Sequence, residues 1–108
     1  LDAMNHRVKI YDYNGVLIGT FGSIGNKPGY FSKPKGICID QYKRVYVTDS
    51  EFDSLQIFNT KGDLLYFIGG TGIDFAKFYL IGKVACYKNE IYVSDIFNSR
   101  VQVFNSFE

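Results

Sequence analysis

Apolar and polar residues alternate in short runs along this chain, and the runs are too brief for helices. Arg44-Val45-Tyr46-Val47-Thr48-Asp49 alternates with a period of two, as does Ser54-Leu55-Gln56-Ile57-Phe58-Asn59. Ile37-Cys38-Ile39-Asp40 is shorter and more uniformly apolar, as expected of a strand buried on both faces. Leu64-Leu65-Tyr66-Phe67-Ile68 makes a fourth run, ended by Gly69-Gly70. Turn chemistry separates them: Gln41-Tyr42-Lys43, a loop to Asp53, then Thr60-Lys61-Gly62-Asp63, where Gly62 supplies the positive φ of a tight hairpin. No stretch sustains an apolar stripe at three-to-four spacing, so helix is disfavoured throughout. The pattern predicts an all-β chain built from four-stranded units.

That unit recurs. Asn5-His6-Arg7-Val8-Lys9-Ile10-Tyr11 is echoed by Phe52-Asp53-Ser54-Leu55-Gln56-Ile57-Phe58 and again by Asn98-Ser99-Arg100-Val101-Gln102-Val103-Phe104. An aspartate precedes each copy at the same distance: Asp2, Asp49 and Asp95, spaced by 47 and then 46 residues. The missing residue falls in the hairpin between first and second strands, Asp40–Arg44 against Tyr87–Glu90, where a deletion does not disturb the core. A period of this size filled with short strands is the mark of a repeat architecture such as a propeller.

Composition agrees with strands: ten Phe and nine Tyr in 108 residues, with 46% hydrophobic content. A net charge of +1 argues against a strongly basic nucleic-acid module. No apolar run approaches the roughly 18–20 residues needed to span a bilayer, so no membrane role is expected. The start of the chain carries no signal-peptide pattern, although it does not begin with Met. Two cysteines do not make a disulfide framework. In the repeat alignment Cys38 matches Ala85 and Cys86 matches Ile39, positions of opposite side-chain parity. Each is therefore expected as a small buried hydrophobe, and the redox compartment stays open.

Asn5-His6-Arg7-Val8 is the tetrapeptide characteristic of the NHL-repeat family. Gly29-Tyr30-Phe31-Ser32-Lys33-Pro34-Lys35-Gly36-Ile37-Cys38-Ile39-Asp40 resembles that family's G-x-F-x-x-P-x-G-h-x-h-D segment, and Val45-Tyr46-Val47-Thr48-Asp49-Ser50 its h-Y-V-x-D-S strand and turn. The third copy departs, with Ile81 in the place of Pro34 and Tyr87 in the place of Asp40. The resemblance implies a β-propeller, usually of six four-stranded blades. With strands lettered A to D from the axis outward, the chain supplies C-D, A-B-C-D and A-B-C, about two blades. The repeats then occupy the whole of 1–108: a partial blade at 1–22, a full repeat at 36–69 and a partial blade at 83–105. Two blades cannot close a ring, so two expectations stand. Either further blades lie in a longer chain, or the chain self-associates, with three copies making a homotrimeric six-bladed ring.

The recurring Asp2, Asp49 and Asp95 are expected to cap backbone N–H groups of the loop that follows each, with Arg7 and Arg100 as ion-pair partners. His6 is the single histidine and Cys38 and Cys86 are not spaced beside it, so no metal site and no cofactor are expected. No catalytic set can be assembled from the inventory, so a binding role is preferred to an enzymatic one. Function should lie in the D-to-A and B-to-C loops, which share one face. The candidate contact residues there are Lys27, Tyr30, Lys33, Lys35, Phe52, Lys77, Tyr79 and Phe97. A protein or peptide partner is the first reading. Single-stranded RNA on the same face, recognised by the Lys27/Lys33/Lys35 cluster, is the alternative. A propeller lyase or hydrolase with an axial site is the other, and it would need residues from blades not seen here.

Overall fold

The computed structural model describes residues 1–25 and 27–106. Among the described residues, nine strands follow one three-residue 3-10 turn, Ala3–Asn5: β1 (Val8–Tyr11), β2 (Leu17–Phe21), β3 (Pro34–Ile39), β4 (Val45–Asp49), β5 (Ser54–Phe58), β6 (Leu64–Gly69), β7 (Ile81–Tyr87), β8 (Glu90–Asp95) and β9 (Arg100–Asn105). They form three antiparallel sheets in sequence order, β1-β2, β3-β4-β5-β6 and β7-β8-β9. The fold is all-β, and the three sheets are consistent with partial propeller blades; the described residues form no closed propeller.

Period-two patterning explains how the sheets stack. On β4, Val45 and Val47 point one way into a cluster with Val8, Phe31 and Phe58. Tyr46 points the other way and joins Leu55, Ile57, Phe78, Ile81, Val84, Ile91, Val93 and Phe104. The middle sheet is thus sandwiched between its neighbours, and every residue of β4 and β5 is buried. A polar side chain on such a strand must find a partner inside. Thr48 does so across the boundary, its Oγ1 donating to the Gly82 carbonyl at 2.6 Å.

Two expectations need correction. The first strand of each unit was expected to be the one buried on both faces, yet Lys35 and Ile39 on β3 are exposed. As the edge strand of its sheet, β3 lacks the cover that central strands receive on each side. The cysteines are not separate buried side chains. Cys38 on β3 and Cys86 on β7 form a disulfide, with Cα atoms 5.7 Å apart. Opposite parity is what permits the bond, because adjacent sheets meet through opposite faces of equivalent strands. The approach is close at Gly36, where an added Cβ would lie 3.2 Å from both Lys83 Cα and Val84 N. The hairpin glycine behaves as its sequence suggests, Gly62 having φ +90°.

Candidate binding face

The D-to-A and B-to-C loops are tied to one another by side chains that recur with the repeat. In the middle sheet, the Asp49 carboxylate at the end of β4 accepts from the N–H groups of Ser32 (2.7 Å), Lys33 (3.0 Å) and Glu51 (3.0 Å). Ser50 N–H then donates to the Lys33 carbonyl at 3.0 Å. In the third sheet, Asp95 accepts from Tyr79 N–H at 2.7 Å, while Ile96 and Phe97 N–H groups donate to the Leu80 and Tyr79 carbonyls at 3.2 and 3.0 Å. The aspartates therefore do more than the expected local capping. They reach back to the preceding D-to-A loop and join it to the B-to-C loop.

A second clamp comes from β5 and β9. Gln56 accepts from Gly29 N–H at 2.7 Å and donates to the Tyr30 carbonyl at 2.8 Å. Gln102, its equivalent, accepts from Ala76 N–H at 3.0 Å and donates to the Lys77 carbonyl at 2.7 Å. Sequence reasoning missed this pair. The signal was present as an amide at the same place in two copies, beside the apolar Leu55, Ile57 and Phe58 in one and Val101, Val103 and Phe104 in the other. The last residue of each B-to-C turn is left-handed, with φ of 59° at His6, 49° at Asp53 and 51° at Ser99. His6 is thus a turn residue of the repeat.

Charge on this face is managed by pairing. Arg100 Nε sits 2.7 Å from Asp95, as expected, and Arg7 Nε 3.4 Å from Asp2. Burial works to raise the Asp95 carboxyl, but hydrogen bonds from Tyr79 N–H, Asn98, Arg100 and Gln102 outweigh it, and its pKa is lowered. Hydrogen bonds from Asn5, Lys9 and Arg7 hold Asp2 down to about 2, against a smaller opposing effect of burial.

Of the eight candidate contact residues, Tyr79 and Phe97 are brought together, their ring centroids 5.4 Å apart. They stay in solvent, at 47% and 65% exposure, so Phe97 does not fold back over its sheet. Phe52 is less exposed, at 38%. Lys33 forms an ion pair with Glu51 at 3.2 Å. Glu51 and Phe97 are repeat equivalents, so a polar bridge in one sheet is replaced by an aromatic pair in the next. Lys27 and Tyr30 line a shallow cleft with Ile24 and Gly25. Lys77 Nζ donates to the Gly69 carbonyl at 3.2 Å. Lys35 lies on the rim of a groove of about 270 Å³ between the second and third sheets, with Leu80, Ile81, Gly82, Lys83 and Ile96. The three lysines of the RNA reading thus belong to different local settings: a cleft, an ion pair and a groove rim.

No family model matches the chain. Over 59 residues, 55% of its length, it is 35% identical to Protein wech of Drosophila melanogaster. Over 46 residues, 43% of its length, it is 41% identical to Protein lin-41 of Caenorhabditis elegans. These matches span 7% and 4% of the two relatives, so they reach a small part of much longer proteins.

Proposed function

We propose that this chain consists of NHL-like propeller repeats acting as a non-catalytic scaffold for a protein or peptide, bound on the D-to-A/B-to-C face. The NHL-like motifs and the partial similarity to wech and lin-41, which contain NHL repeats, support the family reading. The observation that carries the binding reading is the exposed Tyr79–Phe97 pair, held on loops whose backbones are cross-bonded. An aromatic anchor on a pre-ordered loop suits partner recognition, because little side-chain or loop entropy is lost on docking. The adjoining groove offers an apolar floor, with Lys35 and Lys83 at its edge.

A peptide library displayed on phage and selected against the chain tests this. Selected peptides should bind Phe97→Ala and Tyr79→Ala about tenfold or more weakly than the parent, and Lys61→Ala on a C-to-D hairpin equally well. Unchanged affinity in the two aromatic variants would remove this face as the binding site. Failure to select peptides, with single-stranded RNA bound in a steeply salt-dependent manner, would favour the RNA reading.

A further inference from the structure

We infer that the Cys38–Cys86 disulfide is a thiol–disulfide exchange site that latches the second sheet to the third, opened by a dithiol reductant. The bond joins β3 to β7, the facing edge strands of two separate sheets, so it fastens an interface between units. It closes a span of 48 residues. The chain holds two cysteines, so no third thiol is available to reshuffle the bond. Both are partly buried, packed against the edge of the larger apolar cluster. Neither cysteine is sealed from solvent, and the adjoining Ile39 and Tyr87 are 55% and 63% exposed, so a small dithiol can reach the bond from the open edge of this boundary.

The interface does not depend on this bond alone. Thr48 Oγ1 donates to the Gly82 carbonyl, Ile81 N–H to Asp53 at 2.9 Å, and Lys83 Nζ to the Lys35 carbonyl at 2.8 Å. At the opposite hairpins Gln41 donates to Asn89. With these contacts and the shared apolar cluster in place, reduction should loosen the interface without unfolding the sheets. In the exchange, a thiolate of the dithiol attacks one sulfur and the S–S bond breaks to give a mixed disulfide. The second thiol displaces the remaining cysteine, leaving two protein thiols and an oxidised, cyclic reductant. The groove carrying Lys35 and Lys83 lies on the same boundary, so reduction should also change binding there, a consequence that rests on the function proposed above.

Dithiothreitol treatment of the native chain tests the latch directly, followed by alkylation, mass spectrometry and peptide-level hydrogen exchange. The expected result is one intact disulfide before treatment and two alkylated thiols after it. Strands β3 and β7 should exchange faster, β4 and β5 should stay protected, and the melting temperature should fall by roughly 10–20 °C. Two free thiols before treatment would overturn the assignment. A bond that resists reduction until the chain unfolds, or reduction without faster exchange in β3 and β7, would overturn the latch. The Cys38→Ala/Cys86→Ala variant should match the reduced chain; should it fail to fold, the wild-type reduction still decides. These readouts need no bound peptide, so they succeed or fail separately from the binding proposal.

Discussion

Single residues of this chain are best understood through the loops they hold. Gln56 is 2% exposed and satisfies both a backbone donor and a backbone acceptor of the D-to-A loop. Replacing it by Ala strands Gly29 N–H and the Tyr30 carbonyl, a loss of about 1–3 kcal/mol. Urea melts of Gln56→Ala should show that drop, whereas Lys61→Ala should stay within about 0.5 kcal/mol of the parent. Asp95 makes a pH prediction. Its folded pKa is lowered, so its contribution is present above the ordinary carboxylate value and is lost as pH falls through the lowered one. Asp95→Asn should therefore lose less stability than the parent when urea melts are carried from about pH 5 down to about pH 2. The aspartates were conspicuous in the sequence, but their reach to the preceding loop was not. That loop lies about 16 residues upstream, and only the folded blade brings it close.

At the scale of elements, strand positions were readable because a period of two and turn residues declare them locally. The four strands of the middle unit fall on its four runs, with β3 starting at Pro34, earlier than the apolar run suggests. The relation between sheets was harder to read. Parity within one strand says which residues share a face, but not which faces of two sheets will meet. That is why Cys38 and Cys86 were read as unconnected. A loop of this length closed by a disulfide restricts the unfolded chain by about 4 kcal/mol in the chain-entropy model. The same boundary demands a residue without Cβ at position 36. Gly36→Val should press on the β7 backbone at Lys83 and Val84 and cost roughly 1–3 kcal/mol. Thermal denaturation of that variant, beside Gly36→Ala, measures how tightly the two sheets must approach.

At the scale of the whole molecule, two stacked interfaces leave outer faces bare. Ile18 on the first sheet and Val101 on the third are 64% and 58% exposed. Apolar sheet faces of this kind invite cover from further blades or other copies. What the fold contributes to binding is a rigid rim, because carboxylates and amides on buried strands fix the loops above them. Residue-resolved amide hydrogen exchange on the native chain tests that rim most directly. The N–H groups of Gly29, Ser32, Lys33, Ala76, Tyr79 and Ile81, each bonded to a Gln or Asp side chain, should exchange far more slowly than Tyr13 or Thr60 in the C-to-D hairpins. If those six amides exchange as fast as the hairpin tips, the loops are not held from below, and a pre-ordered binding face is ruled out.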